Sequence, residues 1–213
     1  MRNTTKALIT IVAILLLVPS SALLAQRRRG LVDVSRDSER YGFWLSVGGG
    51  AGWERFRFDA DPPGTWSEDQ AAPSLWIALG GTVNPHLRLG GEANVWVHEH
   101  FDEINQYNVT STLSSAMLTG QFYPARNLGL FLKGGLGISR SGEDIEGPGG
   151  SVGETGFAFL GGVGYEIKLG RNLFLSPLAS LMFHSSGDRD APEGNLHERV
   201  FVVGVGLTFQ PGR

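Results

Sequence analysis

Three polar side chains near the C-terminus have the composition of an activated hydroxyl group. Ser186 lies two positions after His184, and Glu198 follows fourteen positions after that histidine. A serine with a nearby histidine and an acid is the arrangement that turns a hydroxyl into a nucleophile. Ester hydrolysis is therefore one hypothesis for this chain.

A second group of residues has the chemistry of metal ligands but not the spacing. His98 and His100 place two imidazoles at the end of a predicted strand, one ligand short of a zinc site. Asp188, Asp190 and Glu193 offer carboxylates for calcium, but without the ordered spacing of a dedicated loop. The glycine runs are not phosphate loops, because no Gly-Lys-Ser/Thr follows them. We therefore predict no metal site and no cofactor.

The segments that must position these residues are patterned as β-strands. Residues 87–99, LRLGGEANVWVHE, alternate between apolar and polar, and successive side chains of a strand point to opposite faces of a sheet. Residues 75–84 alternate in the same way, and the short link at Pro85 and His86 allows only an antiparallel hairpin. A tilted strand needs roughly 9 to 11 residues to cross a bilayer, so the hairpin is predicted to span a membrane.

The same pattern recurs along the chain and predicts a closed barrel. An even number of strands, with both ends on the side of the short turns, is typical of outer-membrane barrels. Closure follows because lipid cannot satisfy an open sheet edge. The predicted fold is all-β, an eight-stranded antiparallel up-and-down transmembrane β-barrel. The predicted strands are 41–58, 75–84, 87–99, 107–123, 128–140, 155–169, 173–186 and 198–209, and the predicted long loops are 59–73, 100–106, 141–154 and 187–197.

The N-terminus predicts export. A short positive region is followed by an apolar stretch at 7–18 and then by small residues, as in a secretory signal peptide cleaved after Ala22 or Ala25. The arginines at 27–29 leave an uncleaved anchor as an alternative. The predicted organisation is a cleaved signal peptide at 1–25, a flexible segment at 26–40, the barrel at 41–209 and a tail at 210–213.

Composition narrows the function classes. The 31 glycines among 213 residues are spread through apolar runs, which favours closely packed strands over disorder. There is no cysteine, so disulfides and thiolate chemistry are excluded. Without residues 1–25, 16 basic residues face 21 acidic ones, a net charge of −5 with no basic cluster in the barrel. This balance gives no support to nucleic-acid binding.

The polar face of the predicted strands carries charges that need partners. Because the interior of an eight-stranded barrel is just wide enough for side chains to fill, we favour a lumen closed by paired polar groups over a conducting pathway. The predicted lumen residues are Arg88, Glu92, Asn94, His98, Lys133, Glu166, Lys168, His184, Ser186 and Glu198.

Several segments together form a known combination. They are the signal peptide, the hairpin 75–99, the turn entry 122–124, the stretch 133–137 and the last strand ending at Phe209. In these features the chain resembles the small outer-membrane β-barrel proteins of the OmpA-type transmembrane domain superfamily. The resemblance implies outer-membrane localisation, contact with outer-membrane lipid and lipopolysaccharide, and handling by periplasmic chaperones and the barrel-assembly machinery. Such proteins usually end on an aromatic residue, whereas here four residues follow Phe209.

The C-terminal triplet has a resemblance of its own. The spacing of His184, Ser186 and Glu198 is similar to that of outer-membrane lipid A deacylases. That likeness implies Ser186 as nucleophile, His184 as base and Glu198 as the group that orients the base. The deacylases carry asparagine directly after the serine, whereas this chain has Gly187. The strand pattern also turns the three side chains towards the lumen, away from a lipid substrate.

These observations predict a non-enzymatic outer-membrane barrel with a structural or surface-interaction role through its loops. The sequence does not identify an extracellular partner. The alternatives are a lipid A deacylase-like hydrolase, a narrow solute channel, and a soluble lipocalin-like barrel whose apolar residues line a ligand cavity.

Overall fold

The structure is a computed structural model that describes residues 40–62, 65–102, 107–145, 150–186 and 195–211. The predicted signal peptide and nearly all of the predicted segment 26–40 lie outside these residues, as do Asp188, Asp190 and Glu193. Among the residues described, no helix is long and apolar enough to cross a membrane.

The described residues form one closed antiparallel sheet. Each strand pairs with its neighbours in sequence, and β1 pairs with β9 to close the barrel. β7 continues β6 beyond Glu166 along β8, so the wall has eight strands, as predicted. The strands are β1 Gly42–Phe58, β2 Gln70–Asn84, β3 Leu87–Asp102, β4 Tyr107–Phe122, β5 Leu130–Ile145, β6 Gly150–Tyr165, β7 Ile167–Lys168, β8 Leu173–Ser186 and β9 Leu196–Phe209.

The break between β6 and β7 has a local cause. Pairing of these strands with β8 is interrupted between Gly164↔Leu178 and Ile167↔Leu175. Pro177 lies in that interval and has no N–H to donate to a ladder. The backbone N–H of Glu166 instead donates to Gly129 O at 2.8 Å. This hydrogen bond continues the register of β5 with β6, so Glu166 stays in the wall of the barrel on that side.

The predicted loop boundaries were wrong, because the strands extend further than the hydrophobic alternation. β5 and β6 pair as far as Ile145↔Gly150, which converts most of the predicted loop 141–154 into a hairpin. β2 begins at Gln70 and β3 ends at Asp102, each inside a predicted loop. Backbone hydrogen bonds hold a ladder whatever its side chains are, so polar strand ends carry no periodic apolar signal.

The direction of the two faces agrees with a membrane barrel. Large apolar side chains point outward and remain exposed in the isolated chain, as lipid contact requires. A lipocalin-like barrel would instead turn them inward. The most exposed of these side chains are Ile77, Leu79, Val83, Phe101, Leu118, Leu132, Leu136, Ile138, Phe157 and Phe159.

Candidate functional site in the barrel interior

The interior has two distinguishable ends. We call the end where β1 begins and β9 finishes the terminal end, and the opposite one the distal end. Along β3 the inward side chains run from Arg88 at the terminal end through Glu92 to Trp96 and His98 nearer the distal end. The strand alternation therefore stacks chemically different groups along the barrel axis.

At the terminal end, Arg88 is the centre of a buried cluster. Its side chain is 0% exposed and forms an ion pair with Glu166, 78 positions away in sequence. It also donates to Tyr123 Oη at 2.7 Å and to Gln210 Oε1. Tyr123 Oη in turn lies 3.0 Å from both Glu166 Oε1 and Gln121 Oε1. These contacts satisfy a cation that would be very costly to bury alone.

The residues that flank the barrel complete this terminal cluster. Arg40, which precedes β1, places its Nε 3.4 Å from Glu166 Oε2 and its guanidinium 3.8 Å above the Tyr123 ring. It also donates to Leu128 O at 3.0 Å. Gln210, which follows β9, donates to Tyr41 O at 2.7 Å. The start and end of the barrel are therefore tied to its interior.

A second ion pair lies beside this cluster. Lys133 Nζ donates to Glu92 Oε1 at 2.6 Å, and both side chains are almost fully buried. Lys133 is on β5 and Glu92 is on β3, so the pair bridges strands on either side of β4. The predicted pairing of opposite charges is confirmed here and at Arg88.

An apolar layer, interspersed with buried polar side chains such as Asn94 and Ser180, fills the middle of the lumen. Trp76 belongs to it, and its ring occupies a slot where Gly48, Gly204 and Gly206 have no side chain. A Cβ added at Gly204 would lie 2.8 Å from the Trp76 ring. The lumen, predicted to be plugged by polar side chains, is therefore filled by apolar side chains as well. The layer comprises Trp76, Trp96, Leu113, Met117, Phe131, Ala158, Leu160, Leu178, Met182, Val200 and Val202, and Tyr123 of the terminal cluster packs with it.

Towards the distal end, the layer gives way to a cavity of about 470 Å³ that we call the acidic vestibule. Glu54, Glu143, Glu154 and Glu198 line it, together with aromatic rings that include Trp96. No lysine or arginine is among the described residues that line it. Glu54 and Glu198 are 5% and 6% exposed, so these two carboxylates are more than nine-tenths buried.

Two of the proposed hydrolase residues, His184 and Glu198, are close in the sheet but are not joined by a hydrogen bond. His184 and Glu198 are register partners on β8 and β9. Neither ring nitrogen of His184 has a hydrogen bond within the described part of the chain. Glu198 Oε1 instead accepts a hydrogen bond from Ser141 Oγ at 2.8 Å, from across the lumen. Ser186 is described only by its backbone, opposite Gly156 and Leu196. The catalytic assignment stays a prediction.

Other predicted lumen residues divide into three outcomes. Lys168 is exposed near the terminal end, although its register partner Phe174 is buried, so its assignment to the lumen stays a prediction. β7 keeps the register of β6 along β8, so the alternation continues past the break after Tyr165. Asn94 is buried, as predicted, but its Nδ2 has no hydrogen-bond partner among the described residues. His98 is half-buried and stacks between Trp96 and His100, with ring centroids 5.7 Å apart on each side.

Sequence reasoning missed part of the interior. Arg40 was placed in the flexible segment, and Gln210 in the tail, because neither lies in an alternating run. Tyr123 and Gln121 were passed over because the faces of 107–123 were unclear from sequence. Glu54 lies on the polar face of the first predicted strand, and its inward direction could have been predicted from that position. Within the described ranges, no group of three or more His, Asp or Glu residues could hold a metal ion.

Outside the lumen, a polar contact joins two distal segments. Asp59, directly after β1, accepts a hydrogen bond from His197 Nε2 at 2.8 Å and one from Asn195 Nδ2 at 3.1 Å. The hydrogen bond from His197 is the main reason that the pKa of the exposed Asp59 carboxyl lies below its ordinary value of 3.8. The contact fastens the β1–β2 connection to the start of β9.

A second distal contact lies on the outward face. Arg55 pairs with Asp69. Arg199, the register partner of Arg55, has its guanidinium 4.1 Å from the centre of the Trp66 ring. Arg57 lies 5.4 Å from the same ring. Three arginines therefore stand on the outer surface of β1 and β9, beyond the apolar Trp53 and Phe201.

Comparison with known proteins finds a matching family model and solved structures with a similar fold. A family model described as the outer membrane protein beta-barrel domain matches residues 12–209. Ail, the attachment invasion locus protein of Yersinia pestis, in complex with the heparin analogue sucrose octasulfate, is 14% identical with a TM-score of 0.55, and the match covers 78% of this chain and 99% of Ail. Neisserial surface protein A is 11% identical with a TM-score of 0.53, over 79% of this chain and 97% of that one. At these identities the likeness concerns the fold alone. A search of curated proteins gives no match.

Proposed function

This chain belongs to the outer membrane protein beta-barrel domain family, and from that premise we propose that it is a non-conducting surface protein of the outer membrane. Its distal end faces outward and makes the contacts with partners. The observation that carries the proposal is the filled lumen. Two buried ion pairs and a continuous apolar layer leave side chains where a channel would need water.

The outward face supports insertion in the outer membrane. Apolar side chains such as Leu118 and Phe157 are 73% and 69% exposed in the isolated chain, which suits contact with lipid tails. Arg57 and Arg199 lie beyond them at the distal end, where lipopolysaccharide phosphates would meet a cation. Outer-membrane lipid and lipopolysaccharide are therefore the proposed surroundings. The barrel-assembly machinery and periplasmic chaperones are the proposed partners during biogenesis.

The distal end supports a contact role. β5 and β6 pair up to Ile145↔Gly150 and form an extended hairpin at that end. Asp59, His197 and Asn195 fasten two neighbouring segments beside it. The name of Ail describes attachment and invasion, and that protein has a similar fold. These features support a surface that is held in place for recognition.

Two measurements test the proposal. In planar bilayers the purified barrel is expected to show no steady conductance, because the apolar layer closes the lumen. Since the chain has no cysteine, single cysteines can report which end is outside. A membrane-impermeant maleimide should label Glu68→Cys on intact cells, and should label Asn127→Cys only after the outer membrane is opened. A steady current would refute closure, and labelling of Asn127→Cys on intact cells would refute the orientation.

A non-enzymatic role is part of the proposal. It is supported by the separation of His184 from hydrogen-bond partners within the described residues. Ser186→Ala is accordingly expected to leave the acyl content of lipid A unchanged in cells that express the protein. Acyl release that depends on Ser186 would show that the hydrolase hypothesis was right.

A further inference from the structure

We propose that the acidic vestibule binds a small organic cation that carries ammonium groups. The inference goes beyond the proposed surface role and does not depend on it, since binding can be measured on the purified barrel. It depends on the buried carboxylates, on the aromatic lining and on the size of the cavity.

The vestibule is lined by four glutamates, and no lysine or arginine is among its described lining residues. Glu54 is more than nine-tenths buried and forms no hydrogen bond or ion pair within the described part of the chain. It experiences the negative charges of Glu198 and Glu143, and Glu198 experiences that of Glu154. Elsewhere in this lumen, buried carboxylates have a cation: Glu92 has Lys133, and Glu166 has Arg88.

One carboxylate oxygen of Glu198 lacks a hydrogen-bond donor among the described residues. Glu198 Oε1 is occupied by Ser141 at 2.8 Å, but the buried Oε2 has no hydrogen-bond partner among the described residues. A buried carboxylate oxygen without a donor costs free energy. Its position on the wall of the cavity means that a ligand there could supply the missing donor.

The described carboxylates of the vestibule are not arranged to bind a bare metal ion. A calcium ion needs six to eight oxygens at about 2.3–2.6 Å. Within the described ranges, the acids of the vestibule do not converge closely enough to form such a set. Carboxylates that surround a cavity of about 470 Å³ without converging suit a cation with its charges spread over several atoms.

Part of the lining of the vestibule is aromatic. Trp96, Phe56 and Phe58 all line the vestibule. The indole of Trp96 is fixed, because its Nε1 donates to Gly52 O at 3.2 Å. Aromatic faces attract ammonium groups through the ring quadrupole, and more strongly when the contact is desolvated. Carboxylates and aromatic rings together therefore select an organic ammonium ion.

Isothermal titration calorimetry with spermidine tests the inference. The protein is used as the purified barrel in a neutral detergent at pH 8, with its folding checked by the shift in gel mobility on heating. Wild-type protein is expected to bind spermidine with an affinity that falls as salt is added. Glu54→Gln and Glu198→Gln are each expected to weaken binding about tenfold or more, since each removes a carboxylate in partly desolvated surroundings.

Glu68→Gln is the matched control. Glu68 is exposed at the distal end and does not line the vestibule, so this variant should bind spermidine as the wild type does. Both vestibule variants remove like-charge repulsion and keep the side-chain shape, so they should fold. Absence of spermidine binding to the wild type would overturn the inference. So would folded Glu54→Gln and Glu198→Gln variants with undiminished affinity, or an equal loss in Glu68→Gln.

Discussion

Replacement of Arg88 by alanine tests the terminal cluster most directly. Arg88 is completely buried and contacts Glu166, Tyr123 and Gln210. Its removal leaves the Glu166 carboxylate inside the lumen with Arg40 Nε at 3.4 Å as the remaining cation in contact. Glu166 would keep Arg40 and the Tyr123 hydroxyl as partners, and the oxygen of Gln210 would lose the donor that Arg88 provides.

The expected cost follows from these contacts. Breaking a buried ion pair by removal of one partner destabilises a protein by about 3–5 kcal/mol. Because Arg40 still compensates part of the Glu166 charge, we expect the lower part of that range, about 3 kcal/mol. A double variant, Arg88→Met with Glu166→Gln, removes both charges and should recover part of the loss.

Urea unfolding of the barrel in lipid vesicles, followed by tryptophan fluorescence, measures this difference. The matched control is Arg55→Ala, which removes the same residue type from an ion pair with a carboxylate. The side chains of Arg55 and Asp69 are 40% and 50% exposed, so this change should leave the free energy of unfolding nearly unchanged. If Arg88→Ala were as mild as Arg55→Ala, the terminal cluster could not be a main source of stability.

Two further predictions concern the apolar layer and the distal contact. Gly48→Ala should destabilise the barrel by about 1–3 kcal/mol or prevent its folding, since the added Cβ meets the Trp76 ring and lies 2.8 Å from Val205 O. In Gly81→Ala the added Cβ meets no atom within 4 Å, so this variant should unfold at the same urea concentration as the wild type. Equal stability of Gly48→Ala and Gly81→Ala would contradict the packing described around Trp76. His197→Ala should return the pKa of Asp59 upward towards 3.8 in an NMR titration of the carboxyl group, and an unchanged pKa would contradict the contact. Because the folded pKa of Asp59 is depressed, this contact contributes fully above the unfolded value and is lost as pH falls through the lower, folded value.

The hairpin of β2 and β3 shows what the sequence could predict. Its alternation is strict, so the existence of the two strands and the inward direction of Arg88, Glu92 and Asn94 followed from a period of two, and the short link between the strands predicted their antiparallel pairing. The pairing of these charges did not follow. Arg88 meets Glu166 across 78 positions, a contact that exists only once the barrel is closed.

The errors also have physical reasons. The loop 141–154 was predicted from its glycines and charges, yet the backbone ladder continues through it. The apolar layer was missed in part because tryptophan occurs on both faces of the strands: Trp76 and Trp96 are buried, whereas Trp53 is exposed.

The residues that border the barrel give the terminal cluster an effect on the rate of unfolding. Arg40 precedes the first strand and Gln210 follows the last one, and both reach the same buried groups. Their contacts with Glu166 and Arg88 can form only after β9 has met β1, so an open, partly inserted sheet gains nothing from them. Interactions that are absent until the final step slow unfolding more than they speed folding. The cluster thus acts as a latch: it sets how long a finished barrel stays closed rather than how quickly one is made.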